Sequence, residues 1–181
     1  MRHSKLKRTA YHEAGHAVMS YELRRRISHV SIIPDAEAGS LGHIQHGKPA
    51  DMSEAVCASR LDDSDSRRIR LKLERAAMIS FAGSAAVDLL TGGKCHATGS
   101  GPDYHDAVDA LFCLTGPGDE LHAYANWLYE RTKGILAQGY LWQAVEALAS
   151  ELLTRKYIGG KQARQIIKEA ILRLPSQEVT K

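Results

Sequence analysis

Two histidines four residues apart, His12 and His16, place the strongest constraint on this chain, and Glu13 directly follows the first of them. Residues four apart on an α-helix lie on one face, so both imidazole rings can reach the same metal ion. Glu13 lies about 60° around the helix from His16, at roughly 100° per residue, and can face a water molecule without being a ligand. The pattern predicts a zinc ion that lowers the pKa of a water molecule to about 7, with Glu13 taking the proton as the water attacks a carbonyl.

The alternative is a chance occurrence of this short pattern on an ordinary helix. Against that alternative, the neighbouring Ala10, Ala14, Gly15 and Ala17 are all small, so another backbone can approach the helix closely. A glycine inside a helix costs about 1 kcal/mol relative to alanine, which indicates a packing requirement at Gly15. We therefore favour a metal site.

A catalytic zinc ion takes three protein ligands and leaves one position for water. The glycine-rich residues 98–101 lead into Pro102, a good first helical residue, and then Asp103 in the first turn of a helix. A simpler role for Asp103 is a favourable interaction with the helix dipole. The competing ligand candidates are Asp88, Cys95, His96, His105 and Asp106. The residues alone leave this choice open.

Hydrophobic periodicity and glycine or proline breaks divide the chain into six helices and two short strands. The predicted helices are 5–24, 67–90, 103–115, 119–138, 142–156 and 161–174, and the predicted strands are 29–33 and 41–46. Residues 47–66 are predicted as a surface loop with one helical turn at 53–59, and residues 94–102 as a second loop. Trp127 and Trp142 are predicted to lie in the core, whereas His43 and His46 either approach the metal site or lie on the surface. We expect one mainly α domain with a small β-sheet over residues 1–174, followed by a disordered tail over 175–181.

Composition argues against several other classes of protein. Aromatic residues are 6% of the chain and the net charge is only +3, which argues against a module that stacks nucleic-acid bases. The scattered Cys57, Cys95 and Cys113 do not form a disulfide framework, which favours a reducing compartment. No long apolar run or secretion signal is visible. We expect a cytoplasmic protein that binds neither membrane nor nucleic acid.

Four motifs in order resemble the zinc peptidase domain of FtsH-type AAA proteases. They are residues 9–17, residues 30–34 with 41–43, residues 82–86, and residues 98–100 with Asp103. The run 144–167 is similar to the last two helices of that family, so the resemblance covers nearly the whole chain. The resemblance implies an HExxH zincin-like helical peptidase fold, with Asp103 as the third zinc ligand after His12 and His16.

The chain also departs from that family. Val87 and Asp88 stand where the family has paired acids, Pro102 replaces an asparagine, and the sequence contains no Walker A glycine loop. We therefore expect a domain that acts without an ATPase module of its own.

The sequence predicts an ATP-independent zinc metalloendopeptidase that hydrolyses peptides or unfolded proteins, with Glu13 as the catalytic base. A homo-oligomer or a separate ATPase are further candidate partners. Strand 41–46, with Gly42 allowing another backbone to approach, is expected to border the cleft and to pair with the substrate. The alternative is a non-proteolytic zinc domain that binds or regulates a partner. Glu13 favours the peptidase, because a structural zinc site closes all four positions and needs no base.

Overall fold

The computed structural model describes residues 4–34, 43–46, 63–93 and 101–173, and in these ranges the chain is mainly helical with one small antiparallel sheet. This architecture confirms the mainly α fold with a small sheet that the sequence predicts. The elements in chain order are α1 (Lys5–Glu22), β1 (Ile27–Ser31), β2 (His43–His46), α2 (Asp63–Thr91), α3 (Pro102–Thr115), α4 (Asp119–Leu136), α5 (Gly139–Arg155), β3 (Tyr157–Gly159) and α6 (Gly160–Leu172).

Helix α1 is the central element of the core. The side-chain oxygen of Ser4 accepts a hydrogen bond from the backbone N–H of Lys7 at 3.3 Å and caps the helix at the predicted residue. The middle of α1 is buried almost without interruption. The helix ends at Glu22, slightly before the predicted end, and Arg24 then adopts a left-handed backbone with a φ of 57°. α1 packs against α2, α5 and β1, so its faces are covered by different elements.

The crossing of α1 and α2 is close enough to require glycine. A Cβ atom added to Gly15 would lie 2.7 Å from the Cβ of Ala86 and would also overlap the carbonyl oxygen of Ala82. The small residues of α1 therefore allow the backbone of α2 to approach closely, as the sequence predicts.

The sheet has the strand order β2-β1-β3, with both neighbours antiparallel to β1. Val30 of β1 lies opposite Ile44 of β2 and Ile158 of β3. β3 is not among the predicted strands, because it is only three residues long and lies between two helices. Lys156, with a φ of 65°, turns the chain out of α5 and into this strand.

Four further predictions need correction. α2 begins at Asp63, so residues 63–66 belong to a helix and not to the predicted loop. α5 begins at Gly139 and α6 at Gly160, each ahead of its predicted start. Trp127 is 54% exposed and stacks on Tyr124, so it is not a core residue, whereas Trp142 does pack against the core.

Some predicted segments lie outside the described residues. They are the helical turn at 53–59, residues 94–100 of the predicted loop 94–102, and the tail at 175–181. Pro102, the last residue of that predicted loop, belongs to α3. Within the described part of the chain, no helix combines the length and apolar character needed to cross a membrane.

The junction between β1 and α6 generates a prediction about stability. A Cβ atom at Gly160 would overlap the carbonyl oxygen of Ile27, a backbone atom that cannot move without disturbing β1. We expect Gly160→Ala to lower the free energy of unfolding by about 1–3 kcal/mol, because overpacking forces backbone shifts. Urea unfolding of the purified variant measures the effect.

Gly134 in α4 provides the matched control, because a Cβ atom there would meet open space. Gly134→Ala should raise stability by up to about 1 kcal/mol through helix propensity. Equal effects of the two substitutions would show that the junction does not depend on glycine.

Candidate metal centre

The side chains of His12 and His16 project from one face of α1 toward the same point. Their Nε2 atoms are 3.1 Å apart, as the four-residue spacing on a helix predicts. The His16 side chain is 5% exposed and that of His12 is 28% exposed. The pair therefore has one ring in the interior and one that reaches solvent.

Asp103 approaches the two histidines from the first turn of α3. Gly101, with a φ of 120°, precedes Pro102, and the chain turns there into the helix. The carboxylate oxygen Oδ2 of Asp103 lies 2.8 Å from Nε2 of His12 and 3.2 Å from Nε2 of His16. The ring of the next residue, Tyr104, lies 6.1 Å from the ring of Phe81 on α2, which anchors this turn. The structure thus brings Asp103 together with both histidines.

The other candidate ligands do not join this group. Within the described ranges, His12, His16 and Asp103 form the one group of three metal-ligating side chains. Asp88 is buried between helices, where its Oδ2 accepts a hydrogen bond from the Tyr129 hydroxyl at 2.9 Å. His105 and Asp106 lie on α3 outside the group. Cys95 and His96 lie outside the described residues.

The spacing of the three ligand atoms fits a zinc ion. With tetrahedral bonds of about 2.0–2.1 Å, two ligands of one zinc ion lie roughly 3.3–3.4 Å apart. The three separations here are 2.8, 3.1 and 3.2 Å. An expansion of about half an ångström or less would bring them to coordination distances. Two imidazole nitrogens with one carboxylate oxygen are also a donor set that zinc accepts in catalytic sites.

The second nitrogen of His16 is held by the backbone of α2. Nδ1 lies 2.7 Å from the carbonyl oxygen of Ile79. Because a carbonyl oxygen can only accept, Nδ1 must carry the hydrogen. This bond leaves Nε2 as the nitrogen that faces the site. Metal-ligating histidines usually have such an outer partner, which fixes the ring and its tautomer.

Charge in the cluster is balanced between His16 and Asp103. Burial disfavours the imidazolium of His16, but the charge and hydrogen bond of Asp103, with a further contribution from Glu13, raise its pKa to about 9. Burial likewise opposes the carboxylate of Asp103, but His16 and the hydrogen bonds of both histidines hold its pKa well below the usual range. The metal-free cluster therefore contains the buried imidazolium of His16 paired with the partly exposed carboxylate of Asp103. A bound metal ion would supply positive charge in place of the imidazolium proton.

Glu13 lies beside the cluster without belonging to it. It is 5% exposed, and its charge contributes to the raised pKa of His16, so the carboxylate is near that ring. The Asp103 side chain, at 39%, is the most exposed of the cluster, followed by His12. The side of the cluster that faces solvent is therefore formed by Asp103 and His12, whereas Glu13 and His16 are buried behind them.

Sequence reasoning missed two features of this centre. One is the carbonyl of Ile79, which no pattern of residue types can indicate, since every residue carries a carbonyl group. The other is Gly83 of α2, whose Cα lies against both imidazole rings. A glycine inside a long helix was the available signal, because it costs about 1 kcal/mol relative to alanine and requires a reason.

Comparison with known proteins gives no assignment for this centre: no protein-family model matches the chain, and no curated protein matches it.

The cluster predicts one zinc ion per chain. His12→Ala and His16→Ala should each abolish stoichiometric binding, because each removes one of three ligands. Asp103→Ala should weaken binding by more than the roughly 10–100-fold that the loss of an outer-shell partner costs. Metal analysis and zinc titration of the purified variants measure these effects.

Asp106→Ala is the control for that series, because Asp106 lies one turn further along α3 and outside the cluster. It should change zinc affinity by no more than a few fold. A loss as large as that of Asp103→Ala would show that Asp103 has been wrongly chosen as the ligand.

The charge pair predicts how the stability of the metal-free protein depends on pH. The pKa of His16 rises from 6.5 to about 9 on folding, so its contribution is complete below about pH 6.5 and is lost as the pH rises toward 9. The pKa of Asp103 is lowered from 3.8, so its contribution is complete above about pH 4 and is lost as the pH falls further. The urea midpoint of chelator-treated protein should therefore be higher at pH 6.5 than at pH 9. In Asp103→Asn this difference should shrink, and an unchanged difference would contradict the pairing.

Proposed function

We propose that this chain is a zinc-dependent endopeptidase domain with an HExxH zincin-like site, similar to the peptidase domain of FtsH-type proteases. The observation that carries the proposal is the meeting of His12, His16 and Asp103 with the buried Glu13 beside them. The residues that make up this group come from two helices far apart in sequence. Chance placement of an HExxH pattern on an ordinary helix face does not account for a third ligand at 2.8 Å.

In this proposal His12, His16 and Asp103 hold the metal, and Glu13 handles the proton. A bound zinc ion supplies Lewis-acid polarisation and lowers the pKa of water. Glu13 accepts a proton from the attacking water while the water oxygen forms a bond to the scissile carbonyl carbon. Glu13 then returns that proton to the amide nitrogen as the C–N bond breaks, which gives a carboxylic acid and an amine. Transfer of the acid proton to the amine leaves a carboxylate and an ammonium group. The burial of Glu13 keeps its carboxylate close to the reacting atoms and limits competing contacts with bulk water.

The substrate side of the proposal rests on the sheet. β2 is an edge strand that pairs only with β1 within the described sheet, and it also contacts α1, the helix that carries His12 and Glu13. An extended peptide can add to such an edge through main-chain hydrogen bonds. Only an unfolded segment offers a free strand of this kind, so the proposed substrates are peptides and unfolded proteins. Such substrates need no ATP-driven unfolding. A separate ATPase would extend the range to folded proteins, and a second copy of this chain is a further candidate partner.

Substitution of Glu13 tests the proposal directly. Glu13→Gln should retain one zinc per chain but lower the rate of casein cleavage by about 10²–10⁴-fold, because the amide cannot accept the proton. The measurement pairs zinc content with the release of peptides from casein, without ATP. Wild-type protein that binds zinc but cleaves no casein would favour the alternative, a non-proteolytic zinc domain.

A folded substrate supplies the control. A compact, stable domain of a size similar to casein should remain intact under the same conditions. A casein-derived peptide with N-methyl groups in the backbone near the scissile bond should show a raised KM, because it cannot make the strand-pairing hydrogen bonds. Equal cleavage of the folded domain, or an unchanged KM, would contradict the proposed mode of substrate binding.

A further inference from the structure

Gly83 of α2 occupies an unusual position beside the proposed metal centre. If a Cβ atom is added to it, the three nearest heavy atoms all belong to the metal-site histidines. They are Nε2 of His16, which the Cβ would overlap, with Cε1 and Nδ1 of His12 at 2.6 and 2.7 Å. Even the smallest side chain at this position would therefore displace both rings.

The same glycine exposes the carbonyl that holds His16. In an α-helix the carbonyl of residue 79 accepts the N–H of residue 83, and the Cβ of residue 83 tilts back toward the N-terminus over that turn. A side chain at position 83 thus covers the surface around the oxygen of Ile79. Glycine leaves the second lone pair of this oxygen open, and Nδ1 of His16 reaches it at 2.7 Å.

We propose that Gly83 is a positioning residue of the metal centre: its missing side chain lets the backbone of α2 orient both imidazoles, with His16 fixed by the carbonyl of Ile79. The inference rests on the proposed metal site. Gly83 has no side chain with which to bind metal or substrate. It acts by setting where the two Nε2 atoms lie relative to Oδ2 of Asp103.

A stability cycle in metal-free protein tests the contact without any use of activity. Gly83→Ala should lower the urea midpoint when His12 and His16 are present. In a background where both histidines are alanine, the same substitution should not lower the midpoint, because the atoms that the methyl group would strike are gone. This result depends on neither zinc binding nor hydrolysis, so it can fail or succeed independently of the proposed peptidase function.

Gly15→Ala is the matched control for this cycle. Its Cβ would strike Ala82 and Ala86 and no histidine atom among its three nearest neighbours. Its cost should therefore persist in both backgrounds, as expected for a residue that serves only helix packing. If Gly83→Ala prevents folding outright, recovery of the fold in the background without the histidines gives the same answer.

Zinc binding and a proton signal give the second readout. Gly83→Ala should weaken zinc affinity by about 10–100-fold, the usual effect of disturbing an outer-shell partner. In the zinc-loaded protein, the Nδ1 proton of His16 should exchange slowly with solvent in the wild type and faster in Gly83→Ala. The inference is overturned if Gly83→Ala has the same cost in both backgrounds, or if zinc affinity and proton exchange are unchanged.

Discussion

Where α1 crosses α2, the two helices lie so close together at Gly15 and Gly83 that neither position has room for a Cβ atom. Gly15 lets α1 approach Ala82 and Ala86, and Gly83 lets α2 approach the two histidines. Each glycine costs about 1 kcal/mol of helix stability relative to alanine. That cost is offset by the burial of the middle of α1 against the longest helix of the described chain. The candidate metal centre depends on this crossing, because it puts the backbone of α2 within hydrogen-bond reach of His16.

Helix α2 also determines where Asp103, the proposed third ligand, lies. It packs against both α1 and α3, so the distance from the histidines to Asp103 is set through it. On the α3 side the contact is aromatic, with the ring of Phe81 next to that of Tyr104, and Phe81 also meets the ring of Tyr129 on α4. Asp103 immediately precedes Tyr104, so the packed ring holds the carboxylate in place. A buried imidazolium paired with a carboxylate is costly to desolvate, and a rigid arrangement of this kind is what makes the pairing favourable.

The sequence predicted those parts of the molecule that depend on local periodicity. His12 and His16 lie on the same face of α1 because they are four residues apart. The close approach of α1 and α2 at Gly15 follows from the small residues around it. Local patterns failed where the deciding contact was tertiary. The residues alone could not choose between Asp103, Asp88 and Asp106, because the choice depends on how α3 packs on α2. The resemblance to a family pointed to Asp103, and the structure places that residue within the cluster.

The errors elsewhere have physical reasons of the same kind. Residues 63–66 are polar and acidic, a composition that predicts a loop, yet acidic residues are also favourable in the first turn of a helix such as α2. β3 is too short to show alternation and exists because β1 offers it a partner. Trp127 lies on a predicted amphipathic helix, which favours a core position. In the structure its ring stacks on that of Tyr124 and lies under the guanidinium of Arg131 at the surface. There the flat ring and the guanidinium stabilise each other without burial.

The arrangement separates the rigid side of the centre from its accessible side. His16 is fixed at both nitrogens, by Ile79 at Nδ1 and by the cluster at Nε2, and it is buried together with Glu13. His12 and Asp103 form the side that meets solvent. A metal held between these sides would have one strongly oriented ligand, His16, and the base Glu13 at the back of the site, with an open approach at the front. Hydrolysis requires this combination, because the base must be fixed relative to the metal while the substrate enters and the product leaves. The distribution of burial across the four side chains is therefore a stronger argument for a catalytic centre than the HExxH pattern alone, which specifies spacing but not access.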